Sequence, residues 1–343
     1  MSRRVAVITG GRSSEHEVSL ASARSVAEAL AGVGWEVALI EIDRNGRWAL
    51  GSASGDGREL PPPSPGTSDL LPARLPDRRV AQTLGDVDVV FPVLHGPHGE
   101  DGTVQGLLEL AGVPYVGAGV AASALCMDKD LFKAVLRDHG IPVTRNVTLR
   151  VGGAVENPFG YPVFVKPARL GSSVGISKAH DEAELAAAVA LAFEHDEKVL
   201  VEEFVSGVEI ELGVLGNREP IASLPGEIAV THNEWYDYEA KYVEGEMDLV
   251  VPARIGDEQA TRAQQLAVRA YVATECEGMA RADLFVRNDG EVLVNELNTI
   301  PGFTSTSVYA KLFAASGIGY AELLERLIAL AIERHERRRS LRF

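Results

Sequence analysis

Glu296 and Asn298 stand two residues apart in NELNTIPGFTSTS, residues 295 to 307, directly after the apolar run EVLV. Alternate residues of a strand share a face, so this carboxylate and this amide oxygen point the same way, with Leu297 turned opposite. Both are hard oxygen donors of the kind Mg²⁺ prefers. Upstream, RADLFVRNDGEVLVNE reads as a hairpin in which Asp289-Gly290 forms a two-residue type I′ turn. Counting outward from that turn sets Asn288 opposite Glu291 and Asp283 opposite Glu296. The expected result is one oxygen cluster of Asp283, Glu296 and Asn298, with Arg281 on the same face. A register slip of one residue would scatter it. Acidic strand ends are often merely solvated, but that reading leaves the Pro301-Gly302 turn and the hydroxyl run after it unexplained.

A second constellation is KPARLGSSVG, residues 166 to 175. Gly171, Ser172, Ser173, Val174 and Gly175 form a loop whose backbone N–H groups can wrap an anion. Lys166, at the end of the strand FVK, reaches that anion as a point charge. The G-K-[ST] ending of a Walker A loop is missing, and no helix follows. In VEEFVSGVEIE, Glu202 and Glu203 precede a bend and Glu209 follows it. Such an edge suits an adenine amino group and ribose hydroxyls, or is simply a charged edge strand. In GGRSSEHEVSLAS, Glu15 and Glu17 either bind an ammonium group or cap the helix that begins there. LHGPHGEDGTVQG, residues 94 to 106, has a spacing too poor for zinc. Glu100 and Asp101 are expected to organise its glycine turn and cap the next helix, and His95 to face a substrate.

Several kinds of element must position these groups. VAVITGG, WEVALIEID, DVDVVFPVLHG and VPYVGA read as strands, with helices near 17–32 and 102–111 between them. That alternation predicts a doubly wound parallel sheet. Residues 51 to 80 shift to Gly, Ser and Pro, with six prolines from Pro61 to Pro76, and read as an irregular surface excursion. From about 120 a new unit begins. DKDLFKAVLRDHG is an amphipathic helix ended by Gly140, and IPVTRNVTL is a strand. YPVFVKPARLGSSVGISKA gives strand, loop and strand, and DEAELAAAVALAFEH a helix. KVLVEEFVSGVEIELGVLG is a strand pair bent at Ser206-Gly207. Helices near 257–276 and 320–338 flank the hairpin. The basic tail RHERRRSLRF places cations at a helix C-terminus.

Composition narrows the partners. A net charge of −16 argues against nucleic acid, which needs a basic surface. The two cysteines, Cys126 and Cys276, sit in apolar surroundings and read as buried small side chains in a reducing compartment. The N-terminal apolar run is too short for a signal peptide, and no segment is long enough for a membrane helix. A cytoplasmic protein with no membrane insertion is expected.

Six motifs in order, GGRSSEHEVSL, LHGPHGEDGTVQG, MDKDLFK, KPARLGSSVG, YDYEAKY and NELNTIPGFTSTS, make the chain resemble the D-alanine–D-alanine ligase family of the ATP-grasp superfamily over essentially its whole length. The resemblance implies an N-terminal Rossmann-like (pre-ATP-grasp) substrate-binding domain over 1–120. An ATP-grasp fold of two α+β subdomains, 121–206 and 207–343, would follow it. ATP and two Mg²⁺ (or Mn²⁺) ions would be cofactors, D-alanine would occupy two sites, and the protein would form a homodimer. It would serve peptidoglycan precursor synthesis.

By position, Lys129 and Lys166 would hold the ATP phosphates under the loop of Gly171, Ser172, Ser173 and Val174. Glu202, Glu203, Val205 and Glu209 would line adenine and ribose, although the family often has lysine where this chain has Glu203. Asp283, Glu296 and Asn298 would bind the metals. Glu15 would bind the ammonium of the first D-alanine, linked to Ser172 and Tyr242, and Lys241 would reach the γ-phosphate. Arg281 and the Gly302 backbone would stabilise an oxyanion, and Ser307 with Val308 would hold the second D-alanine beside His95. The loop 231–246 would act as a lid over a water-sensitive acyl phosphate. Tyr242 favours a peptide product over the D-alanine–D-lactate depsipeptide of some relatives. The presence of Arg281, Asp283, Glu296 and Asn298 speaks against a non-catalytic nucleotide-binding protein.

Overall fold

The computed structural model describes residues 3–51, 78–230 and 247–342. The chain opens with strand β1 (Arg3–Gly10), whose Val5–Ile8 segment is buried on both faces. Such a strand must be covered by helices on both sides. It pairs in parallel with β2 (Trp35–Ile42) and β4 (Val89–Pro92), while β3 (Trp48–Leu50) adds an antiparallel edge, giving the order β3-β2-β1-β4. Val5 and Val7 pack with helix His16–Gly32 and with helix Tyr320–Arg339. Ala6 and Ile8 face helices Arg78–Asp86 and Thr103–Ala111 on the other side. The doubly wound sheet is therefore present, with the last helix of the chain closing one face. The stretch VPYVGA makes only a bridge, Val90 to Tyr115, beside β4 and not a full strand.

The next unit starts with helices Val120–Met127 and Lys129–Asp138; the first of these carries no periodic signal strong enough to be read from sequence. Asp128 caps the second, accepting from the Leu131 N–H at 3.1 Å, and is itself fixed by Lys198 at 2.5 Å. An antiparallel sheet follows, in the order β5 (Asn146–Arg150), β8 (Lys198–Glu203), β6 (Val163–Pro167), β7 (Ser177–Ala179). Helix Glu182–Phe193, capped by Asp181, covers one face of it.

The bend at Ser206-Gly207 does more than kink a strand pair. The chain leaves the four-stranded sheet at the end of β8 and enters a different one as β9 (Gly207–Gly216). That second sheet runs β12 (Met247–Val250), β11 (Gly226–Val230), β9, β13 (Gly278–Arg287), β14 (Val292–Asn298), with β10 (Ile221–Ala222) beside β9. Gly207 lies so close to the next strand that a Cβ there would sit 2.0 Å from the Val286 carbonyl oxygen. Helix Asp257–Ala273 packs on this sheet, and the short helix Val308–Ala315 lies against β9. A cleft opens between the two antiparallel sheets.

The hairpin β13–β14 corrects its own expectation. Arg287 N–H donates to Glu291 O at 2.8 Å and Gly290 N–H to Arg287 O at 2.9 Å, so three residues, Asn288 to Gly290, make the turn. Gly290 takes φ +89° while Asp289 keeps a negative φ, which excludes type I′ and fits a turn ended by a left-handed glycine. That shifts the pairing by one residue, Val286 opposite Val292. A bulge then restores the shift: Leu284 faces Val294, yet Asp283 faces Glu296, leaving Asn295 as the extra residue. The expected cluster register is present through two departures that cancel.

Candidate active site

Two cavities meet along β13 and β14. One, of about 390 Å³, lies in the cleft between the antiparallel sheets. Its apolar walls are Phe164, Ile176, Phe204, Ile228 and Phe285, with Phe164 and Phe204 stacked at 6.2 Å. The other, of about 340 Å³, opens toward the carboxyl ends of the parallel strands and takes in Glu15, His95, Arg281, Asn298, Gly302, Ser307 and Val308. Gly171, Ser172 and Glu296 line both, so a ligand in one reaches a ligand in the other past those three residues.

In the first cavity Lys129, Lys166, Ser173, Glu202, Glu203, Val205 and Glu209 all reach the lining, whereas Val174 lies outside both linings. Ser172 and Ser173 hold φ of +52° and +58°, a left-handed pair that L-residues adopt only under constraint. That conformation turns successive N–H groups of the loop to one side. Lys129 Nζ donates to Leu170 O at 2.7 Å and lies 3.4 Å from Glu296, tying loop to hairpin. Glu203 does not offer a free carboxylate to a nucleotide: Arg145 and Arg287 hold it at 2.7 and 2.9 Å. With two arginines on this side chain, the lysine that the resemblance implies has no counterpart here, and Phe204 and Val205 line the cavity beyond it.

Glu202 is bound more tightly than its sequence context implies. Lys166 contacts one of its oxygens at 2.7 Å, and Lys133 donates to the other and to Thr144 Oγ1. Burial alone would raise the Glu202 carboxyl, but the charges of Lys133 and Lys166 outweigh it and hold it at about 2. Burial brings Lys133 down to about 8 against the pull of Glu202. Lys166 is shifted upward: burial opposes its charge, and Glu202 more than offsets that. Lys133 was missed from sequence although its signal is in MDKDLFK, four residues after Lys129 and so on the same helix face.

On the hairpin, Arg281 grips Asp283 with two bonds of 2.7 Å and touches Glu211 at 3.1 Å. Asn298 Nδ2 donates to Asp283 Oδ2 at 3.0 Å. Glu211, directly opposite Asp283 on β9 and 1 % exposed, is a second residue that sequence reading passed over. It is two residues from Glu209, and the period of a strand places both on one face. Among the described residues no three His, Cys, Asp or Glu side chains converge as a metal set. The donors here are two carboxylates and an amide oxygen, a hard set that would fit a magnesium-type ion.

In the second cavity, His95 Nδ1–H donates to Ile300 O at 2.9 Å, and burial lowers its pKa, so the ring is neutral with Nε2 as its acceptor. Ser307 Oγ accepts from the Thr304 N–H at 3.0 Å, and Ser307 starts helix Val308–Ala315 without capping it through its side chain. The first turn of that helix therefore keeps its N–H groups for an anion. Glu15 faces the cavity; Glu17 turns to the surface and pairs with Arg44 at 2.9 Å. Tyr242, Lys241 and the expected lid, 231–246, lie outside the described residues.

Glu100 does organise the glycine turn, accepting from the Gly96 N–H at 2.9 Å, but Asp101, not Glu100, accepts from Thr103 N–H where the next helix begins. Glu100 also lines the second cavity near Glu15, and burial, then the Glu15 charge, push it up to about 8. An unfolded glutamate loses its proton near pH 4.5 while the folded one keeps it to about pH 8, so stability falls as pH rises through that window. Glu100→Gln should remove this slope. Thermal unfolding at pH 5 to 8 should show the variant gaining on the parent as pH rises, and a pH-independent difference would refute the assignment.

The comparisons with known proteins agree on one family. The model described as D-ala D-ala ligase N-terminus matches residues 4–118, and that described as D-ala D-ala ligase C-terminus matches 135–329. The D-alanine–D-alanine ligase A of Chromobacterium violaceum is 48% identical over 350 residues, covering 96% of this chain and 95% of the relative. Among solved structures, the VanG D-Ala:D-Ser ligase of Enterococcus faecalis superposes with a TM-score of 0.82 at 38% identity, covering 96% of this chain and 100% of that one. The D-alanine–D-alanine ligase of Bacillus anthracis complexed with ATP gives 0.78 at 26% identity, covering 98% and 100%.

Proposed function

We infer, since the chain belongs to the D-alanine–D-alanine ligase family, that it joins two D-alanine molecules at the expense of ATP to give D-alanyl-D-alanine, ADP and phosphate. The observation that carries this reading is the junction of the two cavities at Gly171, Ser172 and Glu296, which brings a nucleotide end and an amino-acid end together.

A carboxylate is a poor acyl donor. In the first step an oxygen of the first D-alanine's carboxylate attacks the γ-phosphorus and ADP leaves, forming D-alanyl phosphate. Lys129 and Lys166 orient and neutralise the phosphates, and the left-handed Ser172–Ser173 pair presents N–H groups to them. Asp283, Glu296 and Asn298 would hold two Mg²⁺ or Mn²⁺ ions, which supply charge neutralisation at the transferring phosphoryl group. Glu15 binds the ammonium of the first D-alanine, with Ser172 beside it. In the second step the free amine of the second D-alanine attacks the acyl carbonyl and phosphate departs. Arg281 and the Gly302 N–H stabilise the tetrahedral oxyanion, and Ser307 with the helix start at Val308 holds the incoming carboxylate. Neutral His95 lines the same cavity. Tyr242 and Lys241, which lie outside the described residues, are assigned by the resemblance to the ammonium side and to the γ-phosphate.

The same proposal divides the chain at 120 and 206, and it includes a homodimer, resting on family resemblance, and a cytoplasmic setting, resting on the two buried free cysteines. No helix among the described residues is long and apolar enough to cross a membrane.

The purified protein with ATP, Mg²⁺ and D-alanine is expected to release phosphate and D-alanyl-D-alanine in equal amounts near neutral pH, read by phosphate assay and mass spectrometry. D-lactate and D-serine are offered in parallel as acceptors. A product formed only with one of those would replace the peptide assignment by a depsipeptide or mixed-dipeptide one.

A further inference from the structure

We propose that Lys133 is a positioning residue for ATP: by taking up the charge of Glu202, it leaves the charge of Lys166 available to the phosphates. The inference rests on the nucleotide reading of the first cavity. Lys133 is 0 % exposed and is absent from the cavity lining, so it does not touch the nucleotide. Lys166 and Glu202 both line that cavity, with Lys166 Nζ 2.7 Å from a Glu202 oxygen. Taken alone, that pair is neutral, and a neutral pair draws a triphosphate weakly. The structure adds a second buried cation on the other Glu202 oxygen, with Thr144 Oγ1 as its further acceptor. Two lysines and one carboxylate leave a net charge of +1, and only Lys166 of the two lysines faces the ligand.

The helix Lys129–Asp138 explains how this is built. Lys129 and Lys133 are separated by four residues, about 6 Å along the axis, on one helix face. Lys129 meets Glu296, and Lys133 meets Glu202 one turn further on. One helix face thus sets Lys129 and Lys133 against Glu296 and Glu202, two of the glutamates that line the cleft. A buried lysine is costly without a partner, so a purely structural role would be served as well by an apolar side chain at this position. A charge-balancing role would not.

The test is Lys133→Met in the full-length protein, with thermal unfolding to establish that it folds. The KM for ATP should rise about tenfold or more, the magnitude of a lost hydrogen bond to a charged group. The KM for D-alanine should not move, and inhibition by adenosine, which carries no phosphate, should stay within about twofold of the parent. The double variant Lys133→Met/Glu202→Gln restores a net +1 at Lys166 and should recover the ratio of ATP to adenosine affinity. Should the single variant fail to fold, that ratio in the double variant, set against the parent, gives the same reading, since both carry a net +1 there: equal ratios support charge balancing, and a lower ratio in the double variant overturns it. Equal losses for ATP and adenosine, or a double variant no better than the single one, would also overturn the proposal. If the nucleotide reading itself is wrong, the unaltered protein will not bind ATP at all, which separates the two failures.

Discussion

Glu296→Gln is expected to fold like the parent and to lose ligation, with turnover down by about three orders of magnitude, the several kcal/mol that metal-type charge stabilisation supplies to phosphoryl transfer. The substitution changes one oxygen for an amide nitrogen and alters no packing. Its side chain is 21% exposed, and the neighbouring Lys129 keeps its bond to Leu170 O at 2.7 Å, so the local structure has little reason to yield. What changes is the charge at a carboxylate that lines both cavities. Beyond turnover, the dependence on Mg²⁺ should alter: the parent should bind ATP more tightly as Mg²⁺ is added, and the variant should respond far less. Phosphate release, equilibrium ATP binding with and without Mg²⁺, and a thermal melt together read the result. Full turnover in a folded variant would refute the proposed metal-binding role of Glu296.

That Glu296 is identifiable from sequence at all depends on how strands encode chemistry. Period-2 spacing puts Glu296 and Asn298 on one face, and Asp283 with Arg281 on the facing strand. The route to that pairing was wrong in detail. A three-residue turn and a bulge at Asn295 are invisible in the hydrophobic pattern, and the register came out right because each displaces the pairing by one in opposite senses. Local pattern also left β8 and β9 in one strand pair. Which sheet a strand joins depends on partners far away in sequence: β5 and β6 for one, β13 for the other.

The same limit hid Lys133 and Glu211. Each carries a charge that reads as solvated on its own helix or strand, and each is buried only because a distant element brings an opposite charge to it, Glu202 for one and Arg281 for the other. Glycine and hydroxyl motifs such as 171–175 and 302–307 were legible because loops that approach ligands need special residues, whatever the surrounding topology.

Arg281→Met should be the more damaging of the two hairpin changes, because the proposed function adds an oxyanion role to the structural one that Arg281 has between two carboxylates. It lies between Asp283, 3% exposed, and Glu211, 1% exposed, two carboxylates placed directly opposite each other on neighbouring strands. Removing the guanidinium leaves two buried like charges without their shared cation, a loss on the order of 3–5 kcal/mol. Independently, loss of an oxyanion donor lowers kcat by about 10²–10³. The two effects can be separated. A divalent cation bound at Asp283 would partly replace the missing positive charge, so Mg²⁺ should raise the melting temperature of Arg281→Met more than that of the parent. Arg281→Lys keeps the charge but loses the two-pronged grip on Asp283, so it should recover most of the stability and little of the rate. A variant with Met at this position that melts with the parent and turns over within about threefold of it would show that neither the carboxylate pair nor the oxyanion depends on Arg281.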